Sequence, residues 1–463
     1  MKNYIMALGL LAGVSMVSCS DFLDKEPSTA LPVDGAITTA EDLQYALNGV
    51  SYTFTDDRMS YPSEFGIYAD LLTNNYKIVK SNNQSAPISQ YNITKYDDFS
   101  MTPFYTFYKA ISQANKALET SEGMTDGDAQ NIRGQLLAWR GLAHFDLARL
   151  FAHIPSTTDV NAANSGIPVA TQVYLPDYLP TRNTLKETYD QIIKDLTDGY
   201  NMMDDYNGIG YMNKWSALAL RARAYLYLGD YTNAIADAEN VIDNSGLELL
   251  TISNYVKSWT VEGADETLLE LAQNDNYNPQ RYAAGYYCDC NGYSECAFNE
   301  NGELWQYFLA NPNDIRSKVV KDQTGAATNP AYYPGKFPGR ADANPLYVND
   351  PKIIRLSEMY LIAAEGYANT GKADKAAEKL NELRANRIEG YVPVATATID
   401  DVIKEYTIEL FCENQSAFAY WRNKKSVMNQ LGKEVPYNDV QTILPIPQRE
   451  IDINPGLAQN PGY

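Results

Sequence analysis

The pattern of apolar and polar positions is most regular in the stretch 219–242. Apolar and small residues recur at helical spacing over 219–226 and again over 234–242. Gly229 separates the two halves and interrupts the periodicity. The pattern therefore predicts two amphipathic helices that fold back on each other around a glycine turn.

A second copy of this pattern lies further along the chain, in the stretch 361–384. A small residue, a tyrosine, a turn glycine and then alanine on the return helix is the spacing of tetratricopeptide repeats. Because one such hairpin cannot bury its own apolar face, the sequence predicts an all-α scaffold of about four stacked helical hairpins. The matching positions are Ala222 with Ala364, Tyr225 with Tyr367, Gly229 with Gly371, Ala234 with Ala376, and Ala238 with Leu380.

Helical periodicity is absent from two long stretches, near 57–103 and 245–350, which are rich in Tyr, Asn, Gly and Pro. Long loops within a compact fold are usually functional, and repeat scaffolds gather their insertions on one face. We therefore expect these two insertions to form the binding face of a single domain. The other periodic segments are 41–56, 104–121, 129–152, 184–203, 352–370, 373–388 and 399–414, with a short helix at 303–309.

The N-terminus has the composition of a targeting segment. Lys2 provides a positive charge, and residues 4–17 form an apolar core too short to span a membrane stably. Cys19 follows a small residue at the end of this core, which indicates cleavage before Cys19 and a lipid on that residue. We therefore expect a lipoprotein signal peptide at 1–18 and a mature domain at 19–463. Ordinary secretion with cleavage elsewhere is the alternative.

Charge and aromatic composition narrow the class of partner. The net charge is −21, from 37 basic and 58 acidic residues, so nucleic-acid phosphates would be repelled and no nucleic-acid partner is expected. Tyrosine is abundant, with 36 residues against 13 Phe and 5 Trp. Its ring offers a flat apolar face while its hydroxyl can stay hydrated. The composition suits binding of amphipathic ligands such as sugars, although most of these tyrosines must pack between helices.

Signatures of catalysis are absent from the sequence. The chain has two histidines, and His144 lies among the apolar positions of an expected helix, so we interpret it as packed rather than catalytic. No Gly-x-Ser-x-Gly, phosphate loop or zinc signature occurs. A glycosidase needs two carboxylates across a cleft, and a helical repeat scaffold does not favour such a cleft. We expect no enzyme activity, no cofactor and no metal.

Three cysteines, Cys288, Cys290 and Cys296, lie within nine residues of a chain that we expect to be exported. A disulfide is allowed outside the cytosol, and a Cys-x-Cys ring is strained. We therefore predict a disulfide between Cys296 and either Cys288 or Cys290. A metal site would need a fourth ligand, and no histidine is near. Cys412 lies in an apolar helical pattern and is expected in the core.

Sugar recognition requires aromatic faces together with amide or guanidinium groups for the sugar hydroxyls. Both insertions supply these residue types. Trp305 is instead interpreted as a core residue, because apolar residues surround it at helical spacing. The candidate ligand contacts are Tyr76, Asn82, Asn83 and Tyr91 in the first insertion, and Tyr277, Arg281, Tyr282, Tyr286 and Tyr287 in the second.

Several segments of the chain resemble the SusD/RagB family of surface lipoproteins. One segment, 405–422, departs from the family, which usually has an Arg-bearing helix and a Glu-Gly-X-Arg turn there. The resembling segments are the Cys19 start with Asp-Phe-Leu-Asp, LLAWRGLAHFDLARLF at 136–151, RNTLKETYDQIIKDL at 182–196, RLSEMYLIAAEGYA at 355–368, and the tail 443–463 with its Pro-Ile-Pro and terminal Asn-Pro-Gly-Tyr.

The resemblance implies a lipid-anchored protein on the outer membrane that faces the cell exterior and covers a SusC-like TonB-dependent transporter. Such proteins bind glycans, or in some members peptides, and pass them inward. The expected function is therefore capture of oligo- or polysaccharide for a transporter. Binding of oligopeptides for a RagA-like peptide transporter is the alternative, and a protein that binds only its transporter is a third interpretation.

Overall fold

The computed structural model describes residues 36–55, 58–340 and 344–463. The expected signal peptide and Cys19 lie outside these residues. The α-helices are α1 (Ala40–Thr53), α2 (Tyr68–Leu71), α3 (Ala86–Ser89), α4 (Asp98–Thr120), α5 (Gly127–Phe151), α6 (Leu185–Met202), α7 (Lys214–Leu228), α8 (Tyr231–Asn244), α9 (Ala284–Tyr287), α10 (Glu303–Ala310), α11 (Leu356–Asn369), α12 (Ala373–Ala385), α13 (Ile399–Glu409), α14 (Ser416–Arg422) and α15 (Gln448–Ile453).

The strands are short and form four antiparallel pairs within the described residues, β1 with β3, β2 with β6, β4 with β5 and β7 with β8. Their bounds are β1 (Tyr76–Lys77), β2 (Thr267–Glu270), β3 (Ala297–Phe298), β4 (Val320–Asp322), β5 (Tyr332–Pro334), β6 (Lys352–Arg355), β7 (Val427–Met428) and β8 (Glu434–Val435).

The longer helices pack against one another largely in chain order. The stack runs from α4 through α5, α6, α7 and α8 to α11, which also packs on α12 and α13, while α1 covers α4 and α5. This arrangement confirms the predicted all-α scaffold of helical hairpins. Among the described helices, none combines the length and the apolar composition needed to cross a membrane.

The two similar hairpins, α7–α8 and α11–α12, share the same turn conformation. Gly229 and Gly371 both have φ +76°, a left-handed conformation that glycine adopts without strain. Gly366 on α11 brings the two hairpins together, because a Cβ there would lie 2.6 Å from Cγ1 of Ile235 on α8. The small residues that line both hairpins are fully buried: Ala222, Ala234, Ala238, Ala364 and Ala376.

Several helix boundaries differ from the sequence prediction, and the helix expected from residue 104 already begins at Asp98. The segment expected as a helix over 352–370 begins with strand β6, which pairs with β2, so the helix starts only at Leu356. The helix expected over 399–414 ends at Glu409. Cys412 and Asn414 follow with φ +57° and +59°, and an α-helix cannot continue through left-handed residues.

Two interpretations of buried residues are confirmed. Trp305 is almost fully buried, with its ring stacked on Phe298 at a centroid distance of 5.4 Å. His144 is fully buried, and its Nε2 accepts a hydrogen bond of 3.2 Å from the Ala170 amide. Burial, with the nearby charge of Arg140, lowers the pKa of His144 to about 3, so the ring is neutral at physiological pH.

The four cysteines of the described residues are buried free thiols. The predicted disulfide of Cys296 therefore has no counterpart in the structure and stays a prediction. Cys290 packs in a small separate cluster with Ala331 and Tyr333. Cys412 is in the core, as expected, and its Sγ lies within 4.8 Å of the Sγ atoms of Cys288 and Cys296. The sequence therefore did not predict that Cys412 is a neighbour of Cys296.

Candidate ligand-binding surface

The two insertions meet in space. Strand β1 of the first insertion pairs with β3 of the second, in a register that sets Tyr76 opposite Phe298. Further along, the Val79 amide donates a hydrogen bond of 3.0 Å to the Ser294 carbonyl. This contact supports the expectation that both insertions contribute to one face.

A buried carboxylate, Glu295, holds the first insertion in place. Its Oε1 accepts a hydrogen bond of 2.6 Å from the Asn82 amide, and its Oε2 accepts bonds from the amide and the hydroxyl of Ser85 at 2.5 and 2.9 Å. The Asn82 side chain in turn donates to the Tyr293 carbonyl at 2.9 Å. These bonds fix loop 82–85 against the segment 293–295.

Where the insertions meet, four tyrosine side chains lie together at the surface, and we call them the tyrosine surface: Tyr282, Tyr286, Tyr293 and Tyr347. The Tyr286 ring contacts the Tyr293 ring edge-on at 4.8 Å and the Tyr347 ring at 5.8 Å between centroids. All four side chains are partly exposed. The arrangement offers several ring faces and hydroxyls in one place.

The backbone of the second insertion folds tightly beneath these rings. The Tyr293 amide donates a hydrogen bond of 2.8 Å to the Tyr286 carbonyl. Gly292 allows this turn, because a Cβ at that position would lie 1.9 Å from the Tyr286 carbonyl oxygen. The turn sets the spacing of Tyr286 and Tyr293.

Two arginines border the tyrosine surface. The Arg58 guanidinium lies 4.8 Å from the ring centroids of both Phe99 and Tyr282, and it pairs with the buried Glu64 at 2.8 Å. Arg281 is exposed, and a hydrogen bond to the Tyr347 hydroxyl is the main cause that raises its pKa. The surface therefore combines aromatic faces with cationic hydrogen-bond donors.

The structure places four of the nine candidate contacts together on the tyrosine surface or at its border: Asn82, Arg281, Tyr282 and Tyr286. Asn83 is exposed beside Asn82 and has φ +57°. Whether these five residues touch a ligand stays a prediction.

Tyr277 lies in a different place. Its side chain is 57% exposed, and its ring meets Tyr52 edge-on at 5.6 Å between centroids. Both rings line a groove of about 370 Å³ that also includes Tyr211. Tyr277 therefore remains accessible to a ligand but belongs to a neighbouring groove.

Three candidate contacts, Tyr76, Tyr91 and Tyr287, were wrongly interpreted as surface residues. Tyr76 is 1% exposed because β1 pairs with β3 and its ring stacks on Phe298 at 5.9 Å. Tyr91 is 5% exposed, and its hydroxyl donates to the Leu72 carbonyl at 2.8 Å. Tyr287 is fully buried, and its hydroxyl donates to the carboxylate of Glu64. All three tyrosines are therefore internal residues that stabilise the fold.

Four residues of this region were not predicted from the sequence. Tyr293 and Tyr347 lie in the second insertion, where tyrosine abundance was the available signal, but abundance does not distinguish exposed from buried rings. Arg58 lies at the start of the first insertion and Glu295 inside the second, and no local pattern marks either residue. Their roles arise from contacts across more than 200 positions of chain.

A second concave region, which we call the acidic groove, has a volume of about 630 Å³. Tyr206, Tyr211 and Trp215 contribute aromatic side chains to it. It lies between the α6–α7 connection and the segments after α8. The acidic side chains that line it are Asp205, Glu248, Asp265 and Glu270.

Comparisons with known proteins agree with the fold. A family model described as the SusD family matches residues 196–463, and a SusD-like model described as starch-binding associating with outer membrane matches residues 21–226. SusD-like protein P2 of Formosa agariphila is 24% identical, and the alignment covers 100% of both chains.

Solved structures of similar fold include two SusD superfamily proteins. One, from Bacteroides thetaiotaomicron VPI-5482, is 28% identical with a TM-score of 0.83, covering 92% of this chain and 100% of that chain. The other, from Bacteroides vulgatus ATCC 8482, is 25% identical with a TM-score of 0.84 and the same coverage of both chains.

Proposed function

Because the chain belongs to the SusD family of carbohydrate-binding proteins, we propose that it captures oligo- or polysaccharide at the cell surface and delivers it to a SusC-like TonB-dependent transporter. The observation that carries this proposal is the tyrosine surface at the junction of the two insertions. The description of the matching N-terminal model, starch-binding and associated with the outer membrane, supports the same ligand class.

The chemistry of the tyrosine surface suits a sugar chain. A pyranose ring laid on the face of Tyr282 or Tyr286 buries apolar C–H groups, and such a contact contributes on the order of 1 kcal/mol. Asn82, Asn83 and Arg281 are exposed beside these rings and can exchange hydrogen bonds with sugar hydroxyls. Each contact is weak, so several contacts along a repeating polymer would supply the affinity.

The proposal is binding without catalysis. Two carboxylates that hold the tyrosine surface in place, Glu64 and Glu295, are fully buried and already accept hydrogen bonds from protein groups. A glycosidase needs one carboxylic acid and one carboxylate facing the scissile bond. Neither Glu64 nor Glu295 can face a ligand in this way.

We expect the purified protein to be retarded in native gels that contain a soluble polysaccharide, without releasing reducing sugar. The panel would contain amylopectin, a soluble β-glucan, a soluble mannan and polygalacturonate, with a mixture of oligopeptides as the competing ligand class. Stacking on tyrosine faces predicts retardation by at least one polymer and a dissociation constant in the micromolar to millimolar range, or roughly −8 to −4 kcal/mol.

Other outcomes would decide between the alternatives. Binding of oligopeptides without retardation by any polysaccharide would replace the glycan proposal with peptide capture. Binding of neither polysaccharide nor oligopeptide would favour the interpretation that the protein binds only its transporter. Release of reducing sugar by the purified protein would contradict the absence of catalysis.

We also propose that residues 1–18 are removed, that the lipid on Cys19 anchors the single domain 19–463 to the outer membrane, and that this domain faces the cell exterior. Replacing Cys19 with alanine should then abolish palmitate labelling and move the protein from the membrane fraction to the soluble fraction. Cys290→Ser is the matched control, since it also removes a thiol. An unchanged membrane fraction for Cys19→Ala would contradict the lipid anchor.

A further inference from the structure

Three cysteine thiols meet in the core of the protein, and we call Cys288, Cys296 and Cys412 the thiol cluster. Their Sγ atoms all lie within 4.8 Å of one another. Cys288 and Cys296 belong to the second insertion, while Cys412 belongs to the turn after α13 of the scaffold. All three side chains are buried, with Cys412 the most exposed at 2%. The cluster therefore joins two parts of the chain that are distant in sequence.

We propose that the thiol cluster binds one thiophilic metal ion, Zn²⁺ or Cu⁺, which would tie the second insertion to the helical scaffold. Thiolate sulfurs are the ligands that both ions prefer. Metal–sulfur bonds of about 2.3 Å bring the sulfurs to roughly 3.8–4.0 Å of one another. The separations in the cluster are at most 4.8 Å, so side-chain adjustments of about 1 Å would bring the sulfurs to this spacing.

The backbone holds Cys412 of the thiol cluster in a costly conformation. Its φ of +57° is left-handed, which is unfavourable for a residue with a Cβ. The end of the turn is fixed at Asn414, because its amide donates to the Asp70 carboxylate at 3.0 Å and its side chain accepts from the Ala69 amide at 2.9 Å.

A buried hydroxyl, that of Tyr76, lies beside the cluster. The Tyr76 hydroxyl is buried and forms no hydrogen bond of good geometry within the part of the chain that the structure describes, and the Cys412 thiol is its neighbour. A Zn²⁺ ion usually takes four ligands, and this oxygen is available as the fourth, whereas three thiolates suffice for Cu⁺.

A disulfide accounts for less of this geometry than a metal does. A disulfide joins two sulfurs at about 2.0 Å and leaves the third without a role. A metal ion uses all three sulfurs at once, and each thiol that binds it loses a proton to solvent. The metal also compensates the negative charge that ionised thiols would otherwise bring into the core. The proposal does not depend on which ligand the tyrosine surface binds.

The test uses the full chain, purified under reducing conditions, stripped of metal and then titrated with Zn²⁺ or with Cu⁺. We expect one metal ion per chain by elemental analysis and native mass spectrometry, and protection of three thiols from alkylation beyond that of the metal-free protein under the same conditions. Retention in the presence of a Cu⁺-specific chelator would identify Zn²⁺, and loss to that chelator would identify Cu⁺. Co²⁺ in place of Zn²⁺ should give an intense thiolate-to-cobalt charge-transfer band.

Single substitutions test whether the thiol cluster is the site that binds the metal. Cys412→Ser should reduce the bound metal at least tenfold, while Cys290→Ser, which lies outside the cluster, should bind as the wild type does. If Cys412→Ser does not fold, the cobalt spectrum and the count of protected thiols in the wild type carry the test alone. The proposal is overturned if the wild type binds no stoichiometric metal, or if a disulfide links two of the three thiols in the protein as exported.

Discussion

Replacing Tyr282, Tyr286 and Tyr347 together with alanine is expected to weaken polysaccharide binding by roughly 100-fold. Each ring contributes on the order of 1 kcal/mol when a sugar stacks on it, and about 1.4 kcal/mol corresponds to a factor of ten in affinity. The measurement is the dissociation constant from retardation in gels of increasing polysaccharide concentration, with any polymer that retards the wild type.

The fold of this triple variant should survive. The three side chains are partly exposed, and Arg58 keeps its ion pair with Glu64 when the Tyr282 ring is removed. We therefore expect a melting temperature within a few degrees of the wild type, since substitutions at the surface usually change stability little. Tyr105→Ala, at a tyrosine that is 68% exposed on α4, is the matched control and should bind normally.

The acidic groove provides the competing location for the same ligand. Tyr206 and Trp215 supply its aromatic faces, so Tyr206→Ala with Trp215→Ala removes them without touching the tyrosine surface. If this double variant loses polysaccharide binding while the triple variant keeps it, the site lies in the groove and the tyrosine surface is not the binding site. The opposite result supports the tyrosine surface.

The scaffold was predictable because its signal is local and repeated. Ala222 and Ala364 lie at equivalent positions of two hairpins, and their helical spacing can be seen in any window of about 15 residues. The errors occurred where tertiary pairing overrides local pattern. Residues 352–355 have the apolar character of the helix that follows, but pairing with β2 makes them a strand.

The ligand-binding region was only partly predictable, for a different physical reason. Composition identifies the insertions, since Tyr and Asn are frequent there, but exposure depends on partners that are distant in sequence. Tyr286 and Tyr287 are adjacent, yet the first lies at the surface while the second is buried against Glu64. That partner is more than 200 positions away, and no pattern around residue 287 indicates it.

A network of buried charges connects the second insertion to the scaffold, and Glu409 is at its centre. The Glu409 carboxylate accepts hydrogen bonds of 3.0–3.1 Å from Arg316, Arg355 and Arg387. Further ion pairs extend the network, which contains five cations and five carboxylates. The cations are Arg316, Lys336, Arg355, Arg384 and Arg387, and the carboxylates are Glu266, Asp314, Glu405, Glu409 and Glu413.

Glu409→Gln is expected to reduce the free energy of unfolding by about 3–5 kcal/mol, because it leaves an uncompensated positive charge among buried arginines. The measurement is chemical denaturation followed by tryptophan fluorescence. Asp190→Asn is the matched control: Asp190 pairs with Lys186 on the exposed face of α6, where an ion pair contributes less than about 0.5 kcal/mol. Equal effects of the two substitutions would contradict a central role for Glu409.

The same network predicts how stability depends on pH. Burial alone would raise the pKa of Glu409, but Arg387, Arg355 and Arg316 together hold it well below its usual value. Burial likewise opposes ionisation of Glu413, whose pKa is lowered by Arg355 and Lys336. A carboxylate whose pKa is lower in the folded state stabilises the fold above the unfolded value of about 4.3, and this contribution falls as the pH drops below it.

The wild type should therefore lose stability steeply below about pH 4, and Glu409→Gln should lose less over the same range, because one of the responsible carboxylates is gone. An identical acid dependence for both proteins would show that the charge on Glu409 does not stabilise the fold.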